Sequence, residues 1–164
     1  MENETLYAYA AGIFDGEGYV DIYKASISKA SKSPSFMLRV IISQKDGLIM
    51  KWLEDNFGGH VLYSSRNGTY IYRWDIRSKR ALNFLKLIYP FVQIKKKQLD
   101  VAIEFEERRG TYLETLKGFQ GFRRLSDEEI GWREKMSQKL KSLKKEYVSY
   151  TKSSSRTTTK RKNV

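Results

Sequence analysis

The sequence has no cysteine, one histidine (His60) and only two prolines among its 164 residues. Without cysteine the chain forms neither disulfides nor thiolate metal sites, and one histidine excludes a zinc site built from several histidines of one chain. A metal would therefore be held by carboxylate and carbonyl oxygens, which suit hard cations such as Mg²⁺.

Long hydrophobic runs are also missing. No apolar stretch approaches the roughly 20 residues that span a bilayer, and the segment Met1–Thr5 is acidic rather than the basic start of a secretory signal. We therefore expect no membrane contact and an intracellular location, in the cytoplasm or nucleoid, or in an organelle of a eukaryote.

Positive charge is abundant. The chain carries 31 Lys and Arg residues against 19 Asp and Glu residues, a formal net charge of +12. A surplus of this size points to a polyanionic partner such as DNA, RNA or an anionic membrane surface. Residues 151–164 contain only basic charges and show no hydrophobic pattern. We expect residues 1–150 to form a single domain and residues 151–164 to be a basic, disordered tail.

Hydrophobic periodicity predicts the order of elements along the chain. Asn67-Gly68 between two alternating runs is a strong hairpin signal. The order helix, two strands, helix, two strands and further helices predicts an α+β fold with a mostly antiparallel sheet of four strands. The predicted helices cover residues 6–16, 47–57, 78–89, 95–109 and 126–147, and the predicted strands cover residues 19–28, 36–43, 60–65 and 69–77.

One face of this sheet is apolar and is expected to pack on helices, whereas the other mixes charged, polar and aromatic side chains. Strands of eight residues extend ~26 Å, about eight base pairs of DNA, and a two-stranded ribbon fits the major groove. Together with the net charge this favours a nucleic-acid surface over an ordinary solvated sheet face. The predicted contacts on this face, in the loops beside it and at the start of the fourth helix are Tyr19, Asp21, Tyr23, Lys29, Lys32, Arg39, Ile41, Lys45, Tyr63, Ser65, Arg66, Asn67, Arg73, Asp75, Arg77, Lys96 and Lys97.

The most unusual segment is YAAGIFDGEG at residues 9–18. On a helix, the small residues of this region and Asp15 lie along one stripe of the helix surface. Each glycine costs ~1 kcal/mol of helix propensity relative to alanine, which makes sense where another backbone approaches closely. Since the chain has no second stripe of this kind, we predict that the same helix of a second copy packs here about a two-fold axis. The predicted interface residues are Ala8, Ala11, Gly12, Asp15 and Gly16.

Two acids, Asp15 and Glu17, end this helix, where the helix dipole disfavours negative charge. A dimer would bring two such ends together, and divalent cations would relieve the resulting repulsion. On a basic surface this arrangement suggests metal-assisted phosphodiester hydrolysis. The alternative, that an acid only caps a neighbouring element, is favoured for Asp15 and not for Glu17.

The segment AAGIFDGEG resembles the LAGLIDADG motif of a family of homing endonucleases. The predicted order of elements over about residues 6–109 is similar to the family's αββαββα core. The resemblance implies a saddle-shaped antiparallel sheet with extra C-terminal helices and, because the chain has one motif, a homodimer.

The resemblance also implies roles for individual residues. Glu17 matches the motif acid that binds metal, and the backbone carbonyl of Gly16 would join the coordination, while Asp15 would be structural at the dimer interface. Gln44 matches a glutamine that orders active-site water, and Lys95 matches an active-site lysine. Glu17, Gln44 and Lys95 are therefore the candidate catalytic residues.

The sequence departs from some relatives at one place. Leu48 stands where they have a basic residue four positions after the glutamine. Either Lys45 substitutes for that residue, or the water network in the active site differs.

The activity implied by the resemblance is metal-dependent cleavage of both strands of a long, pseudo-palindromic DNA site by an intron-encoded enzyme. The expected metal is Mg²⁺, whereas Ca²⁺ could bind without supporting cleavage. Two alternatives remain: an RNA-binding maturase that aids splicing of its own intron, and a non-catalytic DNA-binding regulator on the same fold. The presence of both motif acids favours cleavage.

Overall fold

The computed structural model of the chain describes residues 2–25, 33–66, 68–115 and 124–154. Within these ranges the α+β class and the predicted αββαββα order are confirmed, and two further helices follow. The elements are α1 (Glu2–Glu17), β1 (Gly18–Ala25), β2 (Ser35–Gln44), α2 (Gly47–Phe57), β3 (His60–Arg66), β4 (Thr69–Arg77), α3 (Ser78–Ile88), α4 (Lys96–Thr115) and α5 (Asp127–Ser154).

The predicted bounds of α2 and β4 are confirmed, and the largest differences lie at the ends of other helices. The first helix begins at Glu2, α4 continues to Thr115 and α5 continues to Ser154. These extensions are mostly polar, and their few apolar residues are too isolated to give a periodic signal. Residues 151–154 of the predicted tail therefore belong to α5, and residues 155–164 lie outside the described residues.

The four strands form one antiparallel sheet in the order β1-β2-β4-β3. Directly opposed residues on antiparallel strands point to the same face. Val40 of β2 lies opposite both Val20 of β1 and Ile76 of β4, and all three side chains are buried. These apolar positions mark the face that packs on the helices.

The core lies between that face and α1 to α4. Strand β2 alternates as predicted, with Phe36, Leu38, Val40 and Ile42 at 0–1 % exposure. Burying each such side chain contributes about 1.5–3 kcal/mol. The helices add Phe14, Met50, Leu53, Ala81, Phe84, Leu85, Leu99, Ala102 and Phe105. The fifth helix packs along β1 and α4, where the Ser137 hydroxyl donates to the Ile22 carbonyl at 3.1 Å.

The glycine pair after α2 stops the helix as predicted. Gly58 has φ +71° and donates its N–H to the Glu54 carbonyl at 2.8 Å. Gly59 has φ +92°, and a Cβ at this position would lie 2.8 Å from the carbonyl oxygen of Asp75. Glycine is required here because the chain adopts a positive φ and passes directly against β4.

The register corrects the predicted face of β3. Leu62 lies opposite Arg73, so Leu62 shares the face of that arginine. Tyr63 and Ser65 therefore lie on the opposite face, and the prediction that they share the face of Arg73 is wrong. Three apolar side chains in succession at residues 61–63 remove the alternation that would fix the face.

No helix in the described ranges is both long enough and apolar enough to cross a membrane.

Candidate functional site

The Asp15 side chain connects the inner side of the α1 C-terminus to the segment just before α4. Its carboxylate accepts the backbone N–H groups of Gln93 at 2.7 Å, Ile94 at 3.2 Å and Lys95 at 3.1 Å. Three backbone donors on one carboxylate form a charge-assisted cap. The capping interpretation of Asp15 is thus confirmed.

Lys95 completes this junction. Its Nζ donates to the carbonyl of Phe14 at 2.9 Å and to that of Gly18 at 2.8 Å. Burial lowers the pKa of Lys95, and the nearby carboxylates of Asp15 and Glu17 oppose that shift. The ammonium therefore ties the last turn of α1 to the first residue of β1, directly behind Glu17.

Gly18 allows this tight passage from helix to strand. A Cβ on Gly18 would overlap the Phe14 ring and lie 2.5 Å from the Phe14 carbonyl oxygen. Any side chain at Gly18 would therefore push β1 away from the helix end.

Glu17 lies on the outer side of the same helix end and is exposed. It lines a shallow groove of about 390 Å³ together with Gln44, which ends β2. Lys95 is close to this groove, because its Nζ donates to the carbonyls of Phe14 and Gly18, which precede and follow Glu17 in the chain. The three candidate catalytic residues, far apart in sequence, therefore lie at one end of α1.

The exposed small residues of α1 form a narrower stripe than predicted. Ala8, Gly12 and Gly16 are exposed, and a Cβ added to either glycine would meet nothing within 4 Å. Ala11 is 0 % exposed because it faces the chain's own core, so its predicted place in a dimer interface is wrong. Asp15 is half-buried, and its carboxylate is bonded within its own chain.

The oxygen donors at the helix end are the Glu17 carboxylate and the Gly16 carbonyl. Such donors fit a hard divalent cation, which takes six or more oxygen ligands. In the described part of the chain, no three His, Cys, Asp or Glu residues cluster to hold a metal ion. A cation held by these two donors would therefore need further oxygen ligands besides those of the described residues.

The register confirms that most of the predicted polar sheet positions share the face away from the helices. Those positions are Tyr19, Asp21 and Tyr23 of β1, Arg39 and Ile41 of β2, and Arg73, Asp75 and Arg77 of β4. Lys45, Lys96 and Lys97 are exposed near the helix junctions. Arg66 ends β3. Lys29, Lys32 and Asn67 lie outside the described residues.

Arginines on this face are held by buried acids. Asp75 is 3 % exposed and accepts from Arg77 Nε at 2.7 Å and Nη2 at 3.1 Å. Asp21 accepts from Arg39 Nη2 at 3.1 Å. Arg39 and Arg77 lie directly opposite each other, an arrangement of like charges that the two carboxylates offset.

Sequence analysis missed Lys144, which α5 places against the same face. Its Nζ lies 3.7 Å from the centre of the Tyr19 ring and finds no hydrogen-bond partner in the part of the chain described. Burial lowers the pKa of Lys144 to about 8, although Asp21 opposes the shift. No pattern distinguishes this lysine from the others on a long charged helix, so only the packing of α5 identifies it.

No family model matches the sequence, and no curated protein matches it. Solved structures do: the homing endonuclease I-TnaI has a TM-score of 0.60 at 18 % identity, over 86 % of this chain and 97 % of that one. The homing endonuclease I-CvuI in complex with its target, with Ca present, has a TM-score of 0.58 at 13 % identity, over 87 % and 96 %. The LAGLIDADG meganuclease I-AabMI, bound to uncleaved DNA, has a TM-score of 0.61 at 21 % identity, over 79 % and 44 %.

The chain has the LAGLIDADG homing-endonuclease fold. It spans nearly the full length of I-TnaI and I-CvuI but less than half of I-AabMI. At these identities the likeness establishes the LAGLIDADG fold alone.

Proposed function

We propose that two copies of this chain form a metal-dependent endonuclease that cuts both strands of a long, pseudo-palindromic DNA site. The observation that carries the proposal is the meeting of Glu17, Gln44 and Lys95 at one end of α1, beside a polar sheet face rich in arginine. The DNA-bound state of I-CvuI, a protein of the same fold, supports duplex DNA as the partner.

The outer face of α1 supports the homodimer. Ala8, Gly12 and Gly16 leave the helix backbone open, and Tyr9 beside them is 53 % exposed. A second α1 would fill the groove through a two-fold contact. That contact would place two Glu17 side chains close together. The length ratio to I-AabMI agrees with this arrangement, because one copy of the chain covers less than half of that protein.

Divalent metal, Mg²⁺ above all, fits the donor set of the paired sites. The Glu17 carboxylate and the Gly16 carbonyl would hold it, together with the partner's oxygens and phosphate oxygens of the DNA. When bound, such a cation neutralises charge on the phosphate and makes a bound water more acidic. The repulsion between two Glu17 carboxylates would be relieved by the same cations.

The other two side chains, Lys95 and Gln44, would stabilise charge on the phosphate and position water. Lys95 uses two of its three N–H donors on the Phe14 and Gly18 carbonyls, which leaves one for a water or a phosphate oxygen. Because its ammonium is fixed and partly desolvated, it favours negative charge developing close to it. Gln44 offers an amide to orient a water molecule in the groove that it shares with Glu17.

The sheet face would bind the duplex. Arg39, Arg73 and Arg77 supply positive charge across β2 and β4. Phosphate contacts of this kind release counterions, so binding should weaken steeply as salt concentration rises.

The decisive experiment incubates the purified protein with a library of duplex DNA, with Mg²⁺ or with EDTA, beside a Glu17→Gln variant. Discrete double-strand cuts that require Mg²⁺ are expected, and Glu17→Gln should lower the cleavage rate by about 10³-fold, since metal-assisted stabilisation supplies several kcal/mol. Glu128→Gln, which removes an exposed carboxylate from the first turn of α5, is the matched control and should cleave like the wild type.

Two outcomes contradict the nuclease proposal. Tight binding to DNA without a Mg²⁺-dependent cut would indicate a DNA-binding regulator. Preferential binding to structured RNA, again without a cut, would indicate a maturase.

A further inference from the structure

The geometry of one acid–arginine pair on the sheet, Asp75 and Arg77, bears on which DNA sequence the protein prefers. Asp75 is 3 % exposed, so its carboxylate is withdrawn beneath the face rather than presented to a ligand. Arg77 bonds both Asp75 oxygens through one edge of its guanidinium, from Nε and Nη2. The Arg77 side chain is itself 53 % exposed.

This arrangement determines which N–H donors of Arg77 remain available to a ligand. A guanidinium carries five N–H donors in a planar fork. With the Nε edge occupied by the carboxylate, the opposite edge still offers two parallel N–H groups, one from Nη1 and one from Nη2. The shared carboxylate also restricts rotation of the side chain, so the remaining edge keeps one orientation.

Two parallel donors select one base in the major groove. Guanine presents two acceptors, O6 and N7, on the same edge, whereas adenine presents one acceptor beside a donor and cytosine presents a donor. A donor pair held on a buried acid therefore matches guanine and is opposed by the amino groups of adenine and cytosine.

The surroundings of Arg77 leave room for a base edge. A depression of about 340 Å³ beside it is lined by His60, Leu62 and Arg80, among others. Gly59, which precedes β3, also lines this depression.

We propose that Arg77 reads a guanine in each half of the DNA site and that Asp75 is the positioning residue that orients it. The inference rests on the proposed binding of duplex DNA by the sheet face. It goes beyond that function by assigning a base preference to a single side chain. Arg73 lies 3.8 Å from the same carboxylate, beyond hydrogen-bond distance, so Arg77 is the arginine that Asp75 holds in a fixed orientation.

The test is selection of bound duplexes from a randomised DNA pool in EDTA, which separates binding from cleavage. The wild type is expected to enrich guanine at one position of each half-site, with about tenfold or greater discrimination against adenine there. Arg77→Lys keeps the charge but lacks the planar fork, and it should lose that preference while preferences at other positions persist. Asp75→Asn should weaken the same preference without lowering the affinity for non-specific DNA, because it removes a negative charge. Lys51→Ala, on α2 behind the sheet, removes a charge with no access to the DNA face and should leave all preferences unchanged.

Each other outcome overturns the inference. If the wild type selects a sequence and Arg77→Lys selects the same one, Arg77 does not read a base, although the proposed nuclease stands. If the wild type binds no duplex DNA, the proposed function and this inference fall together. Thermal unfolding of each variant shows whether it is folded. Arg77→Lys leaves the backbone of β4 untouched, so it tests the inference even if Asp75→Asn does not fold.

Discussion

The inner and outer sides of the α1 C-terminus differ sharply, although they belong to one ten-residue motif. On the inner side, Asp15 and Gly18 are bound into the chain by backbone hydrogen bonds and close packing. On the outer side, Gly12, Gly16 and Glu17 are exposed. The motif residues that face inward therefore stabilise the fold, whereas those that face outward are accessible to molecules outside the chain.

The energetics of the two sides follow from this division. Hydrogen bonds to a charged group contribute about 1.5–3 kcal/mol each, so the inner contacts stabilise the monomer directly. Exposed glycines in a helix reduce monomer stability by roughly 1 kcal/mol each relative to alanine. The proposed packing of a second copy on that face would offset this cost.

The largest expected effect on stability comes from adding a side chain to Gly18, on the inner side, compared with adding one to Gly12, on the outer side. Gly18→Ala should lower the free energy of unfolding by about 3 kcal/mol or more, because the new methyl group would overlap Phe14. Gly12→Leu should leave the unfolding of the monomer unchanged or slightly improved, since that position opens to solvent. Chemical denaturation of the wild type and both variants, at protein concentrations low enough for all three to be monomeric, measures the difference.

The same pair of variants tests the proposed dimer. Light scattering should give a dimer for the wild type and a monomer for Gly12→Leu, because the bulky side chain blocks approach of the second helix. Equal loss of stability in the two variants would refute the division between the sides. A dimeric Gly12→Leu would show that α1 is not the interface.

The next effect compares the two motif acids. Asp15→Ala should lower the free energy of unfolding by about 2 kcal/mol, because three backbone N–H groups lose their acceptor. Glu17→Gln should leave stability within about 0.5 kcal/mol, as is usual for exposed side chains. Thermal unfolding in EDTA, where no metal contributes, measures both. A destabilised Glu17→Gln would mean that Glu17 also holds the fold.

Sequence alone predicted the order of the elements, the bounds of α2 and β4, and the capping role of Asp15. These succeed because strong local signals determine them: Gly58-Gly59 ends α2, and Asn67-Gly68 predicts the turn before β4. The convergence of Gln44 and Lys95 on the end of α1 was expected only through the family resemblance. Periodicity within each element contains no information about which loops meet.

The errors have equally local causes. The apolar run at residues 61–63 has no alternation, so the sequence does not determine which face of β3 Tyr63 occupies. Small residues occupy two adjacent faces of α1, and only burial separates Ala11 from the exposed stripe. The environment of Lys144 depends on where α5 crosses β1, a long-range contact without a sequence signal.

The smallest effect separates two half-buried lysines: Lys95, at the inner side of the α1 C-terminus, and Lys144, which α5 places over β1. Burial lowers the pKa of both, but Lys95 donates to two carbonyls, whereas the Lys144 Nζ has only the Tyr19 ring among the described residues. An ammonium without a hydrogen-bond partner destabilises a folded chain. Lys144→Met should therefore raise the free energy of unfolding at pH 7 by about 1 kcal/mol, a value discounted for the partial exposure of the side chain. Lys95→Met should lower it.

The pH dependence gives the Lys144 prediction its sign. Folding lowers this pKa from 10.5 to about 8, so between those values the unfolded chain binds more protons than the folded one. The wild type should therefore gain stability relative to Lys144→Met as pH rises through that window. The advantage of the variant, full below pH 8, should shrink toward zero near pH 10.5. Denaturation of both proteins across this range, read as a difference so that the other titrating groups cancel, measures the effect. A difference that does not change with pH, or a variant less stable at pH 7, would mean that Lys144 has a partner that satisfies its charge.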